Sequence, residues 1–329
     1  MSNKNEFLDS ESLVKTPLDI CMKFAGLIDF SFFISIGEQK HIEIHHDKQN
    51  LPLVFQKYKD KGIKQIFVRK VDYEKFVKEL RESLESKLND PKYQVNQKMQ
   101  ALYEGFHLLR DHLLEFGFQK SGFNLANNIA KEAINNIKTS KELYSIFKRF
   151  REESSDKFIE NTFVGYLVTM MISTFEWQTP NIKEKANIAV FLSDISLNEE
   201  DFNELEVFLK NPKRDFDLLG AKVKNHPVEI AKALLTKNLI SKETALIIEQ
   251  HHERPDETAF PKGVNYSQIG LLSAVHIVAR HFMELVYEND FDESKKNHIL
   301  QELKTIYDKK NFLLAFRALL KSLRMDNQL

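Results

Sequence analysis

From residue 93 to residue 329 no stretch of the chain alternates apolar and polar residues as a strand does. Apolar side chains return instead every three or four positions: Met99, Leu102, Phe106, Leu109 and Leu113 in one run, Phe158, Phe163, Tyr166, Leu167 and Met170 in another. That spacing lines one face of a helix and restricts most of the chain to helix packed on helix. Start signals agree. Thr179-Pro180 predicts a helix with Thr as its N-cap and Pro in the first position, running through Ile188, Ala189, Phe191 and Leu192 to Ser193-Asp194. Ser241 predicts the cap of a helix that reaches His251, and three more are expected over Ser267 to Tyr287, Glu293 to Tyr307 and Phe312 to Leu323. The aromatic series Phe106, Phe116, Phe118 and Phe123 reads as core packing.

The first 88 residues read differently. Residues 1 to about 16 are polar and expected to be loose. Phe30 to Ile36, His41 to Ile44 and Gln65 to Val68 are rich in β-branched and aromatic residues and predict three strands. Leu51 to Asp60 and Tyr73 to Leu88 predict helices, with Gly62 as a C-terminal cap. Asn89-Asp90-Pro91 marks the expected boundary, because the residue before a proline is pushed out of helix. The expectation is a small α+β domain over 1–88, followed by a helical domain over 89–329. His41, His45 and His46 read as a surface strand rather than a metal site, since no carboxylate pattern accompanies them.

Charge and cysteine narrow the function classes. Lys plus Arg (47) nearly cancel Asp plus Glu (48), which argues against a nucleic-acid surface or a polybasic membrane patch. Cys21 is the only cysteine, so neither an intramolecular disulfide nor a thiolate metal cluster is available. MSNKNEFLDSESLVKT has no apolar core of the kind a signal peptide needs. Phe163 to Phe175 is too short to cross a bilayer and reads as a core helix. The expectation is a cytoplasmic protein with no membrane insertion and no nucleic-acid partner.

One run carries chemistry. His251-His252-Glu253-Arg254-Pro255-Asp256-Glu257-Thr258-Ala259-Phe260-Pro261, with Gly263 close behind, stands at the end of a predicted helix. It resembles the HD-GYP signature, H-H-E-x-x-D-G-x-G-Y-P, with His, His, Glu, Asp and the final Pro in register. The resemblance covers roughly residues 93 to 329, and the N-terminal segment is loosely similar to the domain that often precedes HD-GYP domains. It implies an all-helical HD-type domain, a cyclic di-GMP phosphodiesterase ancestry and a site for two divalent metals.

Carried over residue by residue, the resemblance implies that one metal position keeps its set: Asp194, His226, His251 and His252. His226-Pro227 itself reads as a histidine at a helix start. The other position is dismantled, since Asn161, Ser193 and Arg280 stand where the early His, the His of His-Asp and the last Asp belong. The Gly-Lys that follows His-Asp in the family is also missing, for Ile195 is followed by Ser196 and Leu197. In the loop Asp256 and Pro261 persist, while Glu257 and Ala259 replace the glycines and Phe260 the tyrosine. Arg280 is expected to fill the missing metal's space and pair with Asp194.

Three imidazoles and a carboxylate suit iron, manganese or zinc, so the half-site is expected to hold one such ion or none. The resemblance then implies a non-catalytic regulator in cyclic di-GMP-linked signalling. Its partners would be cyclic di-GMP or another nucleotide, or a protein such as a diguanylate cyclase or a response regulator. A weakly active phosphodiesterase or phosphatase using a single ion stays open beside it.

Overall fold

The computed structural model describes residues 13–23, 25–37, 40–44, 50–94, 97–103, 105–106, 128, 131–132, 157–210, 219–256 and 259–323. Leu109, Leu113, Phe116, Phe118, Phe123, His45, His46 and Glu257 lie outside that set. Contacts divide the chain into two compact units, Met1–Gly117 and Phe118–Leu329.

In the first unit β1 (Leu13–Pro17) runs into α1 (Leu18–Lys23). The hairpin β2 (Phe32–Gly37) and β3 (Lys40–Ile44), α2 (Leu51–Asp60), β4 (Gln65–Arg69) and α3 (Lys70–Asn89) follow. The four strands form an antiparallel sheet in the order β1-β4-β2-β3. Alternation decides which side chains go inward. Val14, Phe32, Ile34, Ile66 and Val68 share one face and join Leu51 and Phe55 of α2 and Phe76, Leu80 and Leu84 of α3 in a single core. Phe32 and Phe55 meet with ring centroids 4.9 Å apart. Cys21 sits in this core, and burial pushes its thiol up to about 12, which leaves it inert.

Three differences from the sequence reading have physical reasons. Leu13–Pro17, expected to be loose, is a strand, because Leu13 to Pro17 pair antiparallel with Arg69 to Gln65. Its polar Lys15 and Thr16 hide an alternation that only the neighbouring strand satisfies. His41 is buried, not surface-facing, with its ring 4.4 Å from that of Phe67. Asn89 does end α3, yet Ala101 beyond it packs into the first unit's core.

The described helices of the second unit are α4 (Lys157–Ile172), α5 (Pro180–Leu192), α6 (Glu199–Lys210), α7 (Ala221–Thr236), α8 (Lys242–Gln250), α9 (Leu271–Glu288), α10 (Lys296–Ile306) and α11 (Lys310–Ser322). Thr179 caps α5 by accepting from the Ile182 amide at 3.3 Å, and Ser241 caps α8 by accepting from Thr244 at 3.2 Å. Helices α4, α5, α8, α9 and α11 pack on one another, and α7 lies along α8. α9 starts later than expected. A separate 3₁₀ turn, Tyr266–Gln268, is closed by a capping box at Asn265, and the helix opens only after Gly270. Pro227, read as a helix start, lies inside α7 instead. No described helix is long and apolar enough to cross a membrane.

The first unit's stability should hinge on the Phe32–Phe55 contact. Phe32 is fully buried, so Phe32→Ala should cost about 3–5 kcal/mol. Urea titration followed by hydrogen exchange at β4 amides measures the loss, and a change below about 1 kcal/mol would contradict the packing described.

Candidate metal centre

Each side chain of the site is placed by a helix end or a helix face. Ser193 ends α5, so Asp194 stands just past a helix C-terminus, where the macrodipole disfavours a carboxylate. Its negative charge must be met from elsewhere. His251 is the C-cap of α8 and His252 follows it, while His226 projects from α7 and Arg280 from α9. All five residues are buried.

The four family-type ligand residues converge. Asp194 Oδ1 lies 3.2 Å from His226 Nε2, 3.2 Å from His251 Nε2 and 3.5 Å from His252 Nε2. His226 and His251 bring their Nε2 atoms to 3.4 Å. One nitrogen or oxygen from each residue falls within 4.8 Å of the others. Four nitrogen and oxygen ligands arranged tetrahedrally about 2.0–2.1 Å from a zinc ion would be separated by about 3.3–3.4 Å, so the spacing fits one ion.

The hydrogen bonds point the same way. His226 Nδ1 approaches the Val223 carbonyl at 2.7 Å and His251 Nδ1 the Ile248 carbonyl at 2.6 Å. A carbonyl only accepts, so Nδ1 carries the proton and each neutral ring is left with a lone pair on Nε2. His252 Nε2 is buried and makes no hydrogen bond. Lone pairs of two rings, a carboxylate oxygen and the unbonded Nε2 of His252 thus face one another. Such a cluster of acceptors fits a metal cation.

Protonation cannot easily take the cation's place. Burial pushes His251 down to about 4, and His226 and Arg280 add to the effect against the pull of Asp194. Burial likewise holds His252 and His276 well below the ordinary histidine range. Burial alone would raise Asp194, but the Arg280 guanidinium beside it outweighs burial and holds the carboxyl well below its usual range. Burial would lower Arg280, yet Asp194 and Glu284 overcome it and keep the guanidinium charged.

Arg280 Nη1 donates to Asp194 Oδ2 at 2.8 Å, and its Nε donates to Glu284 Oε1 at 3.0 Å. The second carboxylate oxygen is therefore occupied by a fixed positive charge. Ser193 is buried with its hydroxyl committed to the Val190 carbonyl at 3.1 Å, and Asn161 is buried on α4. Of the loop residues, Phe260 stacks on His252 at 4.4 Å and belongs to an apolar cluster with Leu197, Leu205, Phe208 and Val223. Ala259 is buried beside it, Asp256 is exposed, and Pro261 follows a cis peptide bond.

Sequence reasoning missed one contributor, Glu284, and the contacts that two others, His276 and Glu253, make. Glu284 shares Arg280 with Asp194, and the i,i+4 spacing on a helix could have revealed it. His276, one turn before Arg280, is buried with its ring parallel to His251 at 5.9 Å. Glu253 is buried and accepts the Lys262 amide at 3.0 Å and the Val264 amide at 3.1 Å, which closes the loop that carries Phe260.

Two outcomes follow. Arg280→Ala should destabilise the metal-free protein by roughly 3–5 kcal/mol, because it leaves a buried carboxylate unpaired. In urea titrations the double change Asp194→Ala/Arg280→Ala should lose less than the sum of the singles; simple additivity would refute the pairing. His251, His252 and His276 have folded values below 6.5, so the unfolded chain binds more protons as the pH drops from 6.5 towards 4. Stability of the metal-free protein should be fully present above 6.5 and fall through that window by about 1.4 kcal/mol per pH unit for each histidine. A flat profile between pH 6.5 and 4.5 would contradict their neutral burial.

No family model matches the chain, and no curated protein matches it. A solved structure does: Bd1817, an HDG"Y"P protein from Bdellovibrio bacteriovorus, with a TM-score of 0.56 over 95% of this chain and 99% of that one. Sequence identity is 16%, so the likeness is one of fold. With its helical unit following a small α+β unit, and an Asp/His cluster that could hold a metal ion, this chain is built on the fold of an HD-GYP protein.

Proposed function

We propose that this chain is a regulator in cyclic di-GMP-linked signalling, built around a site for one divalent ion. It works by binding a nucleotide ligand or a partner protein, not by hydrolysing phosphodiesters. The observation that carries the reading is the division of Asp194, with Oδ1 among three imidazoles and Oδ2 held by Arg280 at 2.8 Å.

Two-metal phosphodiester hydrolysis clamps the phosphate between two ions and acidifies a water with both. A second ion at this site would need Asp194 Oδ2, and a guanidinium there stays protonated at any physiological pH. The first position is also nearly full. Catalytic zinc sites have three protein ligands and keep the fourth position open, whereas structural sites use four, the number offered by Asp194, His226, His251 and His252. That count favours zinc among the ions the donor set admits, with iron and manganese the others. An ion so bound supplies Lewis acidity and a tie among the residues that hold it. Phe260 covers the site's edge at His252 and keeps that ring dry.

The first unit is proposed as the sensory or docking module. Among the described residues the only group of three or more potential ligands is the Asp194 cluster, so the first unit offers no comparable chemistry.

Elemental analysis of the purified full-length protein should find one divalent ion per chain. It should turn over neither cyclic di-GMP nor a simple aryl phosphodiester. Two ions per chain, or steady turnover abolished by His251→Ala, would overturn the reading and favour an active phosphodiesterase.

A further inference from the structure

The orientation of His226 depends on a backbone carbonyl that a regular helix would have it share with an amide. In a helix each amide N–H donates to the carbonyl four residues earlier, so residue 227 would ordinarily bond to Val223. Residue 227 is Pro227, which lies inside α7 and has no N–H to give. The carbonyl it leaves free is the same one that accepts from His226 Nδ1 at 2.7 Å. His251 obtains an equivalent fixture by other means. Its Nδ1 bonds to Ile248, one of the last carbonyls of α8, which have no intrahelical partner because the helix ends there. His226 is in mid-helix and has no such end nearby, since α7 continues to Thr236.

We infer that Pro227 is a positioning residue: by withholding its N–H it reserves the Val223 carbonyl for His226 Nδ1, which fixes the ring's tautomer and aims Nε2 at Asp194. Pro227 is buried next to His226 and carries no donor of its own, so it acts only through this carbonyl and through packing. An amide at 227 would compete for the Val223 oxygen and release the imidazole to rotate or to move its proton to Nε2. A proton on Nε2 occupies the lone pair a cation needs.

The test uses the full chain, metal-free, at pH 8, with ¹⁵N shifts of the His226 ring nitrogens as the first readout and zinc affinity as the second. The native protein should show the Nδ1–H tautomer. Pro227→Ala should shift His226 towards a mixture with the Nε2–H form and weaken zinc binding by about 10–100-fold. A second variant carries the α-hydroxy acid counterpart of alanine at position 227, so that an ester oxygen replaces the N–H while the side chain stays that of alanine. It should restore the native tautomer and most of the affinity. The inference is overturned if Pro227→Ala keeps the native tautomer, or if the ester variant behaves like the alanine variant. It also fails if neither variant folds, because then the proline ring's packing matters and not its missing N–H. The zinc arm rests on the one-ion reading of the site and the tautomer arm does not. If native protein binds no zinc, the proposed function falls while the ¹⁵N result still decides the role of Pro227.

Discussion

The second unit is organised around one desolvated carboxylate. Asp194 lies past the C-terminus of α5, buried, at the end of a helix where the dipole opposes its charge. An isolated carboxylate would not stay ionised there. Arg280 reaches it from α9 at 2.8 Å, and imidazoles reach it from α7 and from the end of α8. Four helical segments thus meet at one charge, and their packing and the site's electrostatics are the same interaction seen from two sides. Glu284 extends it by holding the far side of the guanidinium, so that Arg280 is paired at both Nη1 and Nε.

The two oxygens of Asp194 separate two kinds of chemistry. Oδ1 belongs to an assembly of lone pairs that suits a metal cation, and Oδ2 already has its cation in Arg280. A metal ion can leave and return, but a guanidinium on a packed helix cannot. On one side Phe260 stacks on His252 and joins the cluster of Leu197, Leu205 and Phe208, while Glu253 ties down the loop's return through two backbone amides. Exclusion of water there is why His251 and His252 resist protonation.

Local devices do much of the aiming. A helix end frees the Ile248 carbonyl for His251, and a proline frees the Val223 carbonyl for His226. Both place an acceptor three residues before the ring it holds. Neither device requires a distant partner, and both can be recognised once the helix limits are known. Those limits were partly misread. Pro227 looks like a helix start when taken alone, since proline is tolerated in a first turn, whereas α7 begins at Ala221.

What the sequence determined by itself was whatever depends on neighbours along the chain. The helical period after residue 93, the caps at Thr179 and Ser241, the strands around Phe32 and Gln65, and the His251-His252 run with its loop are all short-range patterns. The candidate ligands Asp194, His226, His251 and His252 were legible because their types and order match a known signature. Tertiary structure decided the rest. Leu13–Pro17 became a strand only because β4 offered an edge, and His41 was buried because Phe67 covered it. Glu284, His276 and Glu253 gained roles because folding removed water around them, and an unpaired charge or donor then became costly. Burial and pairing are properties of three-dimensional neighbourhoods. A sequence lists the charges, but only the fold sets which of them face one another and how far they lie from water.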